Sequence, residues 1–391
     1  MNNFDVTAFR RGYSAFLRPG RVLLTGHSHQ AWPDAARAAQ ERYFDDAARF
    51  VDEKWELAVF PVLERVRRGI LARLGLPPDD AVAFGKSTHE LVFRLLSCFP
   101  LGQGTRVVST TSEFHSLHRQ LARLAEAGAD VHLVDARARE GLAERLARAL
   151  TPQTHLLALS AVLFEDSHVV AGLPGLLARA RELGVPVLVD AYHAFNVVPL
   201  DLGPALDHVY VTAGGYKYAQ FGEGLCFMRL PPAAAVRPLY TGWFADFDAL
   251  GRERVATVGY GEGGARFHGA TFDGSAAYRA EAALANFDAF HLDVPALRAL
   301  SLRMTQRLLD RLRARGVLDR APLQTPQEAQ RRGGFISLRT PRAGEVELRL
   351  RQRGVWVDHR GDLLRLGPAP YLLDDELDAG VDALAEELDR V

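Results

Sequence analysis

Lysine is scarce in this chain of 391 residues. Of its 47 basic residues only Lys54, Lys86 and Lys217 are lysine, and the rest are arginine. Cysteine is scarcer still. Cys98 and Cys226 are the only two, far apart and in no C-x-x-C or Cys/His spacing, which excludes a disulfide framework and a zinc site and suits a reducing cytoplasm. The histidine pairs His27/His29 and His115/His118 lack a third partner at ligand spacing, so no metal centre is predicted. Excess charge of one sign is absent too. The net charge is −1 with acids and bases interspersed, which leaves no electrostatic footprint for nucleic acid or an anionic membrane. No run of 18 apolar residues occurs, and M-N-N-F-D-V-T-A-F-R-R has no apolar core, so neither a transmembrane helix nor a signal peptide is expected. Small molecules remain as partners.

The length points to two domains. Helical spacing runs from Pro33 to about Leu74, with Pro61 starting or kinking a helix. From Ala81 short apolar runs alternate with amphipathic helices: A-V-A-F, R-V-V-S, V-H-L-V, H-L-L-A-L-S and V-P-V-L-V-D are separated by helical stretches and followed by V-Y-V-T and L-C-F-M. Such alternation predicts an α/β fold, a mostly parallel mixed sheet with helices on both faces, whose ligands sit beyond the carboxyl ends of the strands. A loop-rich stretch, Tyr240 to Phe272, is too long without periodicity to be an ordinary connection and reads as a functional or interface segment. A long helical run from Ser275, broken near Pro295, and a tail of short strands and helices then predict a small α+β domain. The boundary is placed near 275, giving a large domain 1–274, with an N-terminal segment 1–32, and a small domain 275–391.

Five stretches carry chemistry. Lys217 lies in a glycine-rich turn between two apolar runs, V-Y-V-T-A-G-G-Y-K-Y-A-Q-F-G-E-G-L-C-F. In a chain that otherwise uses arginine, a lysine here suggests a reaction arginine cannot perform, imine formation through a deprotonated amine; the alternative is a snorkelling surface lysine. Asp190 ends the strand V-P-V-L-V-D one crossover earlier. Alone it reads as a strand terminator, but a pyridoxal-type cofactor needs this pair, a lysine for its aldehyde and a carboxylate for its ring nitrogen. Ser87 and Glu90 have the spacing of a capping box, and the same helix start, with the hydroxyls of Ser87 and Thr88, could hold a phosphate. Phe114 follows R-V-V-S and is either core or a stacking partner for a flat ring. Arg365, in L-L-R-L-G, is either a surface arginine or a planar fork for a substrate carboxylate.

On these residues the chain resembles the fold-type I pyridoxal-phosphate enzymes of the class V aminotransferase, cysteine desulfurase and kynureninase branch, and within it kynureninase, over nearly its whole length. G-H-S-H-Q-A-W-P (26–33) is similar to the family's glycine-x-serine segment, Ser87 and Thr88 to its phosphate turn, and Phe114 to its ring-stacking aromatic. D-A-Y-H, with Asp190 and His193, matches the pyridine-nitrogen aspartate and the histidine three positions on. Tyr216-Lys217-Tyr218 matches Y-K-Y, which implies that Tyr216 donates to the phosphate and Lys217 is the Schiff-base lysine. Gly242-Trp243-Phe244 resembles the turn whose tryptophan reaches the phosphate. R-F-H-G-A-T (266–271), ending in Thr271, resembles the segment that closes the site from a neighbouring subunit, and D-H-R-G-D-L-L-R-L the segment with the substrate arginine, Arg365. Leu117 departs from the family's aspartate, and A-Q-F-G-E-G from its usual N-G-G-P-G.

The resemblance implies pyridoxal 5'-phosphate as cofactor, an amino acid as substrate, a cytoplasmic homodimer, and hydrolytic Cβ–Cγ cleavage of kynurenine in tryptophan catabolism. Lys217, Asp190 and Tyr216 would act in catalysis. Transamination uses the same lysine, aspartate and arginine and stays open. A desulfurase would need a nucleophilic cysteine on a mobile C-terminal loop, and none follows Cys226. A non-catalytic protein that keeps the fold is opposed by the density of polar groups expected at one sheet edge.

Overall fold

The computed structural model describes residues 4–232, 234–249, 251 and 256–390, so residues 250 and 252–255 of the loop-rich stretch lie outside the described residues. After helix α1 (Val6–Arg10) and strand β1 (Val22–Leu23), the amphipathic helices α2 (Ala35–Phe50) and α3 (Phe60–Leu74) follow. Pro61 lies just after a π-helical turn (Trp55–Val59) that runs into α3, and Gly75 ends the helix in the left-handed conformation (φ 66°). The alternating section then gives β2 (Val82–Gly85), α4 (Thr88–Leu96), β3 (Arg106–Thr110), α5 (His115–Glu126), β4 (Asp130–Val134), α6 (Leu142–Ala149), β5 (Leu156–Ser160), α7 (Leu173–Glu182), β6 (Val187–Asp190), β7 (Val209–Gly214) and β8 (Cys226–Arg229).

Among the described residues these strands form one seven-stranded sheet in the order β2-β8-β7-β6-β5-β3-β4. Only β8 runs against its neighbours, so the carboxyl ends of β2, β3, β6 and β7 meet at one edge. Side chains alternate across the sheet as the two-residue period of a strand requires. Leu157, Leu159, Val187 and Val189 enter the core beneath α2, α3, α6 and α7, while Leu156, Ala158 and Leu188 enter a smaller core with α4 and α5. Leu117 belongs to that smaller core, on the same helix face as Leu121 and Leu124.

The remaining elements are α8 (Ser275–Ala289), α9 (Val294–Ala314), α10 (Val317–Arg320), β9 (Ile336–Arg339), α11 (Ala343–Gln352), β10 (Val355–Trp356), β11 (Asp358–Arg360), β12 (Leu363–Leu366) and α12 (Asp374–Arg390). Strands β11, β12 and β9 form an antiparallel sheet that, with α9 and α12, encloses a separate apolar core. The N-terminal segment joins this core: Phe9, Tyr13, Leu23 and Leu24 pack there, and β1 pairs with β10. Helix α8 straddles the two, with Tyr278 and Leu284 in the large core and Phe287 in the second. We keep the domain boundary near 275 as a proposal, with residues 4–31 packed on the C-terminal part.

Candidate active site

The shared carboxyl edge carries a cavity of about 270 Å³. Ser87, Thr88, Phe114, Asp190, His193, Tyr216 and Lys217 all line it. Each arrives from a strand end. Ser87 and Thr88 follow β2, Phe114 follows β3, Asp190 closes β6, and Lys217 lies three residues beyond β7, the hydrogen-bonded neighbour of β6. Ser87 is the N-cap of α4, its hydroxyl accepting from the Glu90 N–H at 3.2 Å, so the capping and the cavity-lining roles coexist.

Lys217 is buried at the cavity floor. Its Nζ lies 2.6 Å from His193 Nε2 and within 5.3 Å of the Phe114 ring centre and 4.8 Å of that of Tyr192. Burial pulls the ammonium down to about 7, helped by the Arg365 charge and opposed by Asp190 and Asp358. Burial likewise holds His193 well below the ordinary histidine range, with Lys217 and Arg365 adding to the effect. A neutral imidazole therefore faces the amine. Burial pushes the Asp190 carboxyl up, against the Tyr192 N–H that donates to Oδ1 at 2.8 Å and the Lys217 charge. Among the described residues its second oxygen has no hydrogen-bond partner, so the carboxylate is left to meet a donor from the cavity.

Beneath Phe114, Glu113 is buried and spans two strand ends, accepting from Thr110 Oγ1 and Ser160 Oγ, both at 2.6 Å. Burial raises it to about 7, against those hydrogen bonds. The lysine turn is fastened from the N-terminal segment. Gln220, at φ 61°, accepts from Tyr13 OH and donates to Gln30 Oε1 at 2.7 Å, and the Gln30 N–H donates to the Tyr216 carbonyl at 3.2 Å. This is what the A-Q-F-G-E-G sequence does in place of a purely glycine-rich turn.

Arg365 is fully buried, is not among the residues lining this cavity, and is not a free fork. Nε and Nη2 donate to the two oxygens of Asp358 at 2.9 and 2.6 Å, and Nη1 donates to the Phe164 carbonyl at 2.6 Å. Trp243 and Thr271, too, stand apart from the expected residues that line the cavity. Both are exposed, neither lines the cavity of its own chain, and Trp243 lies against Phe244 and Phe247. Tyr192, Cys226 and Glu223 line the cavity without having been singled out as ligand contacts in the sequence. For Tyr192 a signal existed, its place inside D-A-Y-H; for Cys226, its position at the start of the strand after Lys217.

The donor set fits a flat aldehyde carrying an anionic group: a low-pKa amine, an aromatic face, an open carboxylate and a hydroxyl-bearing helix start surround one small cavity. Pyridoxal 5'-phosphate has these features.

Residues 297–384 match the kynureninase C-terminal domain family. Over 390 residues the chain is 28% identical to kynureninase of Pseudomonas fluorescens, covering 96% of this chain and 91% of that protein. It is 26% identical over 340 residues to kynureninase of Deinococcus radiodurans, covering 84% and 78%. Among solved structures, a cysteine desulfurase of Escherichia coli superposes with a TM-score of 0.82 at 18% identity, covering 100% of both chains. The cystine lyase C-DES, in a form with glycine covalently linked to its PLP cofactor, does so with a TM-score of 0.80 at 18% identity, covering 96% of this chain and 99% of that one. The fold is that of the type I pyridoxal-phosphate enzymes.

Proposed function

We propose, for a chain of the class V aminotransferase and kynureninase group most like the kynureninases in sequence, a pyridoxal-phosphate enzyme that hydrolyses the Cβ–Cγ bond of kynurenine or a close relative, giving alanine and an aromatic acid such as anthranilate. One observation carries the reading: a buried amine, Lys217, and an open carboxylate, Asp190, face one cavity from the ends of adjacent parallel strands. Bound there, the cofactor supplies an electrophilic aldehyde and an electron-withdrawing ring that lowers the cost of removing a proton from substrate Cα.

The chain's own residues do the rest. Asp190 would keep the ring nitrogen protonated, and Phe114 and His193 would flank the ring. Ser87, Thr88 and Tyr216 take the phosphate. Lys217, its amine pulled down to about 7, would hold the cofactor aldehyde and, once the substrate amine has taken its place there, would be free to move the proton at substrate Cα. Arg365 binds the α-carboxylate through the N–H groups that Asp358 and Phe164 leave over, one on each η nitrogen. Holding that carboxylate fixes which Cα bond faces the base.

We place Trp243 and Thr271 at the phosphate of a second copy, in a homodimer. Their exposure, with that of Leu239 and Tyr240 on the same segment, supports this. No helix among the described residues is long and apolar enough to cross a membrane. The free Cys98 and Cys226 are in keeping with a reducing cytoplasm.

The test is direct. Purified protein supplied with pyridoxal phosphate is expected to absorb in the visible and to release anthranilate and alanine from L-kynurenine. A protein that converts L-kynurenine only with a keto-acid acceptor, forming no anthranilate, is a transaminase, and one that takes up no cofactor overturns the whole reading.

A further inference from the structure

Asp358 does more than neutralise a buried arginine. It faces Arg365 across the β11–β12 hairpin, the two residues being register partners, with Gly361 (φ 58°) at the turn. The pairing is side-on, through Nε and Nη2, and uses both carboxylate oxygens. The Phe164 carbonyl takes one N–H of Nη1, and the ring of Phe335 lies 5.6 Å from the guanidinium carbon. Three of the five guanidinium N–H groups are thereby committed, and the plane and rotation of the fork are set.

Asp358 is itself held. His27 Nε2 lies 2.7 Å from Oδ1, and the ring is stacked on Phe335 with centres 4.6 Å apart. Burial lowers His27 to about 4, against the attraction of Asp358, so the ring is neutral and Nε2–H is the donor. Gly367 gives the ring its room, since a Cβ there would meet His27 Nδ1 at 2.3 Å. Arg360 lies 3.6 Å from Oδ2 and offsets part of the carboxylate's charge.

We propose that Asp358 is a positioning residue for substrate binding: clamped by His27 from the N-terminal segment, it aims the unpaired edge of Arg365 at the substrate carboxylate. The proposal rests on Arg365 being the carboxylate anchor. A long arginine without such a clamp must give up rotamer freedom on every binding event, whereas here that cost is met in the fold. The opposite possibility is competition, in which Asp358 and the substrate carboxylate contend for one fork. The two differ in sign.

The experiment is a spectral titration of cofactor-loaded wild type, Asp358→Asn, Arg365→Ala and the double variant. The probes are two matched pairs that differ only in the carboxylate: L-kynurenine with kynuramine, and L-alanine with ethylamine. Asp358→Asn is expected to weaken the amino acids by about 10-fold or more, the loss of a charge-assisted hydrogen bond, and to leave the amines and the cofactor absorbance unchanged. The double variant is expected to be no weaker than Arg365→Ala alone. Tighter amino-acid binding by Asp358→Asn, equal loss for acids and amines, or additive losses in the double variant would each overturn the proposal. If Arg365→Ala affects acids and amines alike, or wild type binds neither amino acid, the reading of Arg365 has failed and this proposal with it. Should Asp358→Asn not fold, Asp358→Glu, which keeps the charge and shifts its position, is expected to give the same selective loss, and an unselective loss overturns the proposal.

Discussion

The amine of Lys217 stands between opposing neighbours, Arg365 favouring its neutral form and Asp190 and Asp358 its charged form, with burial outweighing them all. A lysine lowered to about 7 in the folded state and near 10.5 when unfolded leaves the unfolded chain binding more protons between those values. The contribution of this residue to the stability of cofactor-free protein therefore rises with pH across that window and is flat below it. Urea titrations at pH 7 and pH 9 are expected to show a larger gain for wild type than for Lys217→Leu; equal gains would mean that the amine is not perturbed. With cofactor, Lys217→Ala is expected to lose the adduct that borohydride fixes in wild type, as read by mass. At Ser87 two roles share one hydroxyl. Ser87→Ala is expected to cost about 1 kcal/mol of stability as a lost cap and also to weaken cofactor binding. A stability loss with unchanged affinity would assign Ser87 to the helix alone.

At the scale of elements, the sheet edge is legible in the sequence, because strand and helix alternate and the chemistry falls where strands end. The pattern sets Asp190 and Lys217 at neighbouring strand ends, and their reading as a pair rests on that together with the scarcity of lysine. What the pattern did not carry is contact between elements distant in the chain. The hairpin D-H-R-G-D-L-L-R-L drew notice for Arg365, yet Asp358 matters because antiparallel register sets it opposite, and that register depends on where the turn falls. Arg365 was expected as an open fork for the same reason. Gln220 could not be read as a fastening for the N-terminal segment from a turn sequence, since its partners Tyr13 and Gln30 lie about 200 residues away. A different long-range pair holds the opposite end of the sheet. Arg229 in β8 donates to Asp80 at 2.7 Å and to the carbonyls of Leu206 and Val209, with both side chains buried. Asp80→Ala leaves that guanidinium uncompensated and is expected to cost about 3–5 kcal/mol; a thermal unfolding midpoint unchanged from wild type would show that the pair is dispensable.

At the scale of the whole molecule, the proposed site would be completed by a second copy. Trp243 and Thr271 are exposed and do not line the cavity of their own chain, in keeping with the resemblance, in which the 266–271 segment closes the site of a neighbouring subunit. Sedimentation equilibrium is expected to give twice the chain mass. Mixing Lys217→Ala with Trp243→Ala subunits after partial unfolding is expected to restore activity that neither has alone, because a hybrid would contain one site with both residues native. No recovery despite subunit exchange would place Trp243 outside the partner's site.

The attachment of the N-terminal segment to the C-terminal core also bears on how the chain is made. Phe9 and Tyr13 leave the ribosome hundreds of residues before the side chains that cover them, among them Phe287, Phe290 and Tyr371, are synthesised. Arg10 meets Glu376 across 366 positions. The large sheet can assemble during synthesis, whereas the second core, and with it the His27 clamp on Asp358, closes only when α12 has been released. A chain truncated before α12 would keep the cavity walls from Ser87 to Lys217 while exposing an aromatic cluster at its other end, a combination that favours capture by chaperones or aggregation over partial activity.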